Sequence, residues 1–111
     1  MIDYTSFMEE TEIDIETAKE LYRSFLQDLE LQRSLLQKNM EENHLTGVLE
    51  VTHGIKGIAG TYHAWQLEKQ AAFLEQDCQD TKMPPEVQCK QLLDILQATI
   101  QEIMEFIGTD K

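Results

Sequence analysis

The chain has 111 residues, 41% hydrophobic and 27% charged, the balance of a folded domain large enough to bury a modest core unaided. The 21 acidic residues against 9 basic ones leave a net charge of −12, which argues against nucleic acid and anionic membrane surfaces as partners. No apolar run approaches the roughly 20 residues of a membrane-spanning helix, and no signal peptide opens the chain, so a cytoplasmic location is expected.

Taken in order, the pattern is helical throughout. Proline occurs only at Pro84 and Pro85, and no segment keeps strand alternation for long. Residues 3–10 suit a short helix whose Ile2, Tyr4, Phe7 and Met8 cover a bundle end. Asp14 is placed to cap a long helix running to about Glu42, with a core face of Ile15, Ala18, Tyr22, Phe25, Leu29, Leu36 and Met40. Asn43 to Gly47 form a short connection, and the next helix spans about Gly47 to Tyr62. A further helix begins near Ala64 and ends near Asp80, followed by a loop from Thr81 to Pro84. Pro85 suits the first turn of the last helix, which shows near-heptad spacing through Cys89, Leu93, Leu96, Ile100, Ile103 and Ile107. Long amphipathic helices joined by short connections predict an antiparallel up-down four-helix bundle, from about residue 14 to 108, behind the short N-terminal helix. One domain over residues 1–111 is expected.

The segment from His53 to Gly60 breaks the rules of its own helix. Three glycines fall within it, each costing roughly 0.5–1 kcal/mol relative to alanine. On a helical wheel Val48, Val51, Ile55, Ile58, Ala59 and Tyr62 share one apolar stripe, and His53 points the other way. Gly57 and Gly60 lie on the histidine's own face, and Lys56 is a neighbour three residues on. The helix thus presents an exposed imidazole, an ammonium beside it, and bare backbone over which another protein can approach. These are the needs of a histidine that carries a phosphoryl group: a nucleophile largely uncharged near neutral pH, and a cation to meet close to two negative charges.

These residues resemble the signature of histidine-containing phosphotransfer (HPt) domains, the intermediates of multistep phosphorelays. That signature runs His, any residue, Leu, Lys, Gly, then small residues and a downstream Gly before a Leu. Here it reads His53, Gly54, Ile55, Lys56, Gly57, Ala59, Gly60 and Leu67, with Ile55 for the usual leucine. His63 stands where the downstream glycine is commonly found, and Leu74-Glu75 matches a Leu-Glu pair of the next helix. The likeness extends from about Ile13 to Ile107. It implies that His53 accepts phosphate, that Lys56 stabilises the phosphoryl group, and that Gly57 gives access. Leu49, Glu50, Gly60 and Glu75 are the expected docking residues. It further implies a monomeric carrier without a cofactor of its own, and a start methionine few residues before the bundle makes a free-standing protein the expectation. The expected partners are response-regulator receiver domains and a hybrid sensor histidine kinase, with Mg²⁺ supplied by the receiver.

Other readings compete. Glu41-x-x-His44 and Glu50-x-x-His53 have the spacing of di-iron bundle ligands, but they straddle one loop, and His53 faces away from the apolar stripe. A helical adaptor that carries no phosphate is a second alternative. Leu49 lies either at the core edge or on a docking surface. Glu50 either orients the imidazole or is a solvated charge. His44 reads as a solvated loop residue, and His63 as a junction residue with a local backbone hydrogen bond or a place beside the phosphoryl site. Cys78 and Cys89 lack metal-ligand spacing. Cys78 continues the seam of Leu67, Ala71 and Leu74, as a small buried hydrophobe would.

Overall fold

Asp3 and Asp14 each turn a side chain back onto the helix that follows, and these two caps set the start of the molecule. Asp3 Oδ1 accepts the Ser6 amide at 3.0 Å and Asp14 Oδ1 the Thr17 amide at 2.8 Å. The computed structural model describes residues 2–78 and 83–108. They form α1 (Tyr4–Thr11), α2 (Ile15–Glu41), α3 (Leu45–Thr61), α4 (Trp65–Cys78) and α5 (Glu86–Ile107), with no strand among them. Residues 42–44 join α2 to α3 and residues 62–64 join α3 to α4. Connections this short force neighbouring helices antiparallel. α3 packs on α2 and α4, and α5 closes the ring against α4 and α2. The result is the expected bundle, 45 × 23 × 18 Å.

The helix limits differ from expectation in detail. α3 begins at Leu45 rather than Gly47, because His44 occupies its N-cap position and the Val48 amide already donates to the His44 carbonyl. Gly47 is thereby buried in the first turn, where an added Cβ would strike the Asn39 side chain. Pro85 sits at the N-cap of α5 instead of inside its first turn, its carbonyl accepting from the Gln88 and Cys89 amides. The expected end of α4 near Asp80, the loop residue Thr81 and the burial of the Cys78 side chain lie outside the described residues.

The core follows the wheel with three corrections. Phe7, Ala18, Tyr22, Phe25, Leu29, Leu36, Val48, Val51, Ile55, Ala59, Leu67, Ala71 and Leu74 are all buried. Ile15 is 46% exposed, against expectation. The Tyr22 hydroxyl donates to the Tyr62 carbonyl just past the end of α3, so Ile15, two turns earlier on α2, lies beyond its neighbour's reach. Lys19 is buried beside Ala18, its ammonium 5.7 Å over the Phe106 ring. On α5 the buried stripe takes in Leu92 and Thr99, while Leu93 is only partly buried.

α1 lies across one end of the bundle, as its apolar residues require. The Asp3 amide donates to the His63 carbonyl at 3.1 Å, and Ile2 N to Glu102 Oε2 at 3.0 Å. Tyr4 stacks on Phe106 with centroids 4.0 Å apart, and Phe25 on Tyr62 at 4.4 Å. Phe7 and Tyr22 meet edge to face within the same cluster. Burial, and for Tyr4 also the Glu102 carboxylate, pushes the Tyr4 and Tyr22 phenols well above their ordinary values. The opposite end holds an open cleft of about 330 Å³ lined by Met40, Glu41, Asn43, Met83, Pro84, Glu86 and Cys89.

Candidate functional site

α3 and α4 run antiparallel in close contact, and their seam brings His53, Lys56 and Glu75 together. His53 stands on the outer side of α3 with 71% of its side chain exposed, while Ile55 on the opposite side is fully buried. Glu75 reaches across from α4. Its Oε2 lies 2.5 Å from His53 Nδ1 and its Oε1 accepts from the Lys56 ammonium at 2.8 Å. Seven residues further along α3 and seven back along α4, Gly60 meets Glu68, so the two helices hold one register along the seam.

The carboxylate determines the state of the ring. Only 15% of the Glu75 side chain is exposed, and both oxygens are engaged within the protein. The Lys56 hydrogen bond is the largest cause holding its carboxyl below the usual carboxylate range, with burial opposing and the His53 bond adding to it. An ionised carboxylate only accepts hydrogen bonds, so Nδ1 donates. In the neutral imidazole this sets the tautomer, with Nε2 as the nitrogen that carries the lone pair.

The expected site residues divide into two groups. His53, Lys56 and Gly57 are placed as anticipated: a Cβ built on Gly57 meets nothing within 4 Å, so the backbone beside the imidazole is open. Of the four expected docking residues, Glu75 and Gly60 are placed differently. Glu75 is an internal bridge rather than a surface contact, because its oxygens are taken up by His53 and Lys56. Gly60 is not bare, since an added Cβ would sit 2.5 Å from Glu68 Oε2, which lies over it. Leu49 is partly buried and packs against the core. Glu50 is exposed, and the place beside Nδ1 belongs to Glu75 instead.

The two other histidines are separate from this site. His44 is exposed, with Nδ1 3.0 Å from Asn39 Oδ1. His63 is ten residues beyond His53, about 15 Å along the helix direction at 1.5 Å per residue. Its ring is buried, tilted against Trp65 at 4.6 Å, and its Nε2 lies 3.1 Å from Glu10 Oε2. The side chain thus bonds to a carboxylate of α1, not to local backbone. His63 has φ 58°, the left-handed conformation that favours glycine, which accounts for the glycine commonly found at this position. Among the described residues no group of three His, Cys, Asp or Glu side chains could hold a metal ion. None of the described helices is long and apolar enough to cross a membrane.

Comparison with known families bears directly on this constellation. The family model described as "Hpt domain" matches residues 20–105, from the second turn of α2 to the last turn of α5. The chain belongs to the Hpt domain family. No curated protein and no solved structure matches it. Hpt domains are helical bundles that act in phosphotransfer within phosphorelay signalling, as phosphocarriers rather than kinases, and the family interacts with receiver domains and kinases. The Hpt match encloses the whole seam, including His53, Lys56, Gly57 and Glu75.

What sequence reasoning missed is the role of Glu75. The Leu-Glu pair is recognisable in the sequence through the resemblance, which places it on the next helix without saying what it faces. The available signal was register: with Gly60 opposite Glu68 across an antiparallel pair, a seven-residue step places a carboxylate opposite His53. Gln32 was also missed. Its amide oxygen lies 3.8 Å from a Cβ built on Gly54, bordering the site from α2.

Proposed function

We propose that this protein carries a phosphoryl group on Nε2 of His53, passing it between aspartates of receiver domains in a multistep phosphorelay. The observation that supports this most is the Glu75 bridge. In the neutral ring it places the proton on Nδ1 and leaves the lone pair on Nε2, and it holds the Lys56 ammonium one helical turn from the imidazole. Nε2 attacks the phosphorus of a receiver's aspartyl phosphate, the P–O bond to the aspartate breaks with its electron pair leaving on the receiver carboxylate, and Lys56 meets the charge on the transferring group through a charge-assisted hydrogen bond. The open backbone at Gly57 lets the receiver's surface come close. The receiver supplies Mg²⁺ and most of the chemistry, and the partners are a hybrid sensor kinase and a response regulator. The protein acts as a monomer in the cytoplasm.

The test is labelling by a phosphorylated receiver domain. Wild-type protein acquires an acid-labile, base-stable phosphoryl group, as expected of a phosphoramidate. His53→Gln abolishes the label, and His44→Gln and His63→Gln retain it. ATP and Mg²⁺ without a receiver leave the protein unlabelled. Full labelling of the His53 variant would remove His53 from the reading, and stoichiometric self-labelling from ATP would show a kinase instead of a carrier.

A further inference from the structure

Among the described residues α4 is the one helix with no fully exposed acidic side chain. Its exposed positions carry Trp65, Gln66, Lys69, Phe73 and Gln76. Every other helix exposes acids, Glu9 on α1, Glu20 on α2, Glu50 on α3 and Asp94 on α5 among them. The acids of α4 are drawn in instead: Glu75 to His53 and Lys56, Glu68 over Gly60, and Asp77 with a buried Oδ2. A chain of net charge −12 thus keeps one strip whose exposed charge is an ammonium. We propose that this outer face of α4 docks an acidic amphipathic helix of a partner protein, at a place separate from the one where a receiver meets His53.

Two aromatic side chains supply the anchors. Trp65 is 45% exposed and Phe73 54%. They stand eight residues apart, about 12 Å along the helix, with Lys69 one turn from each. Aromatic rings in such positions are the side chains that most often dominate the binding energy of an interface. Trp65 is also held in place, its ring tilted against the buried His63 ring at 4.6 Å, so docking immobilises little that is not already fixed.

The spacing and the charge specify the occupant. The apolar stripe of a second helix repeats every three to four residues, so side chains two turns apart match the interval from Trp65 to Phe73. Carboxylates flanking that stripe meet Lys69, whereas a basic helix meets like charge here and is drawn to the acidic faces elsewhere. A second copy of this chain fits poorly. Antiparallel self-pairing about Lys69 would set Trp65 against Phe73 of the other copy, but it would also set ammonium on ammonium between two molecules of charge −12. Phe73 lies two positions before Glu75, about 200° around the helix, so a partner seated on Phe73 leaves the His53 seam uncovered.

Trp65 is the only tryptophan of the chain, and its emission reports on the face directly. The probes are two synthetic helical peptides with one leucine stripe, flanked by glutamates in the first and by lysines in the second. The glutamate peptide is expected to shift Trp65 emission saturably to shorter wavelength, and the lysine peptide to leave it unmoved. Phe73→Ser should weaken the glutamate peptide about tenfold and Lys69→Glu about fivefold, both at surface positions that tolerate change. Phosphotransfer from a receiver to His53 should be unaltered in Phe73→Ser. An unmoved emission with the glutamate peptide, an equal response to the lysine peptide, or undiminished binding in both variants would overturn the proposal. So would self-association of wild type that Phe73→Ser abolishes, and lost phosphotransfer in a folded Phe73→Ser would place this face within the receiver's footprint. A wild type that takes no phosphate from any receiver would sink the carrier reading and leave the peptide result standing.

Discussion

In the proposed mechanism one charge, that of Lys56, serves two purposes. In the unphosphorylated protein its ammonium is tied to Glu75 at 2.8 Å, with 37% of the side chain exposed. It is therefore held in place rather than sampling solvent. Lys56→Ala should slow transfer roughly ten- to a hundredfold, the value of a charge-assisted hydrogen bond of about 1.5–3 kcal/mol, with little change in helix content. Timed phosphotransfer and circular dichroism on the same sample check this, and an unchanged rate would remove Lys56 from the mechanism. The same pair has a pH signature in stability. Because the folded protein holds the Glu75 carboxyl below its ordinary value, chiefly through Lys56, the unfolded chain binds that proton first as pH falls. The stabilisation is complete above the ordinary carboxylate value near about 4.3 and is lost as pH drops through the depressed folded value. Glu75→Gln should thus melt below wild type at neutral pH, with the gap closing in acid. A gap that stays constant down to the acid limit would assign the loss to packing. His63 shows what residue identity hides. Its departure from the usual glycine was plain in the sequence, but its φ of 58° and its packing on Trp65 were not. A left-handed backbone costs roughly 1–2 kcal/mol outside glycine, and the buried ring, seated between Trp65 and Phe7 with Glu10 at Nε2, offsets that cost.

At the scale of the element, α3 is the helix that sacrifices most propensity, and its glycines have distinct reasons. Gly47 makes room for Asn39, Gly60 for Glu68, and Gly57 for nothing within the protein. Gly57→Gln should therefore keep or slightly raise the melting temperature, by up to about 1 kcal/mol of helix propensity. The same change should slow phosphotransfer, because a long side chain would stand beside the imidazole. A variant that melts early yet transfers normally when cold would mean that Gly57 serves packing instead. The wheel identified the α3 core stripe, the outward histidine and the open Gly57 because one helix's periodicity carries all three. It was silent on Glu75, Glu68 and Gln32, whose positions depend on the register between helices. The exposure of Ile15 and the burial of Lys19 escape the wheel for a related reason. Burial at a helix end depends on where the neighbouring helix stops, and a long lysine stem passes through apolar surroundings as readily as a leucine.

The whole molecule was legible as a class: all-helical, a bundle behind a short helix, with an Hpt signature on its second long helix. Its two ends were less legible. At one end α1 cross-ties the ends of the other helices through the Asp3–His63 and Ile2–Glu102 hydrogen bonds and a set of stacked rings. At the other, two methionines, Pro84 and acidic residues surround an open cleft. His53 lies on α3 between them. This asymmetry has a consequence for amide hydrogen exchange. Protection should be graded along the rod, slowest around Tyr22, Phe25 and Ala59 and fastest around Met40 and the start of α5, because opening the ringed end requires breaking aromatic contacts together. Exchange followed by mass spectrometry or NMR checks the gradient, and uniform protection along α2 would contradict it. The imidazole would then ride on a helix anchored firmly at its C-terminal end and more loosely at its start. A receiver docking over Gly57 would press against the anchored half, and a partner that grips near His44 would act on the half that yields.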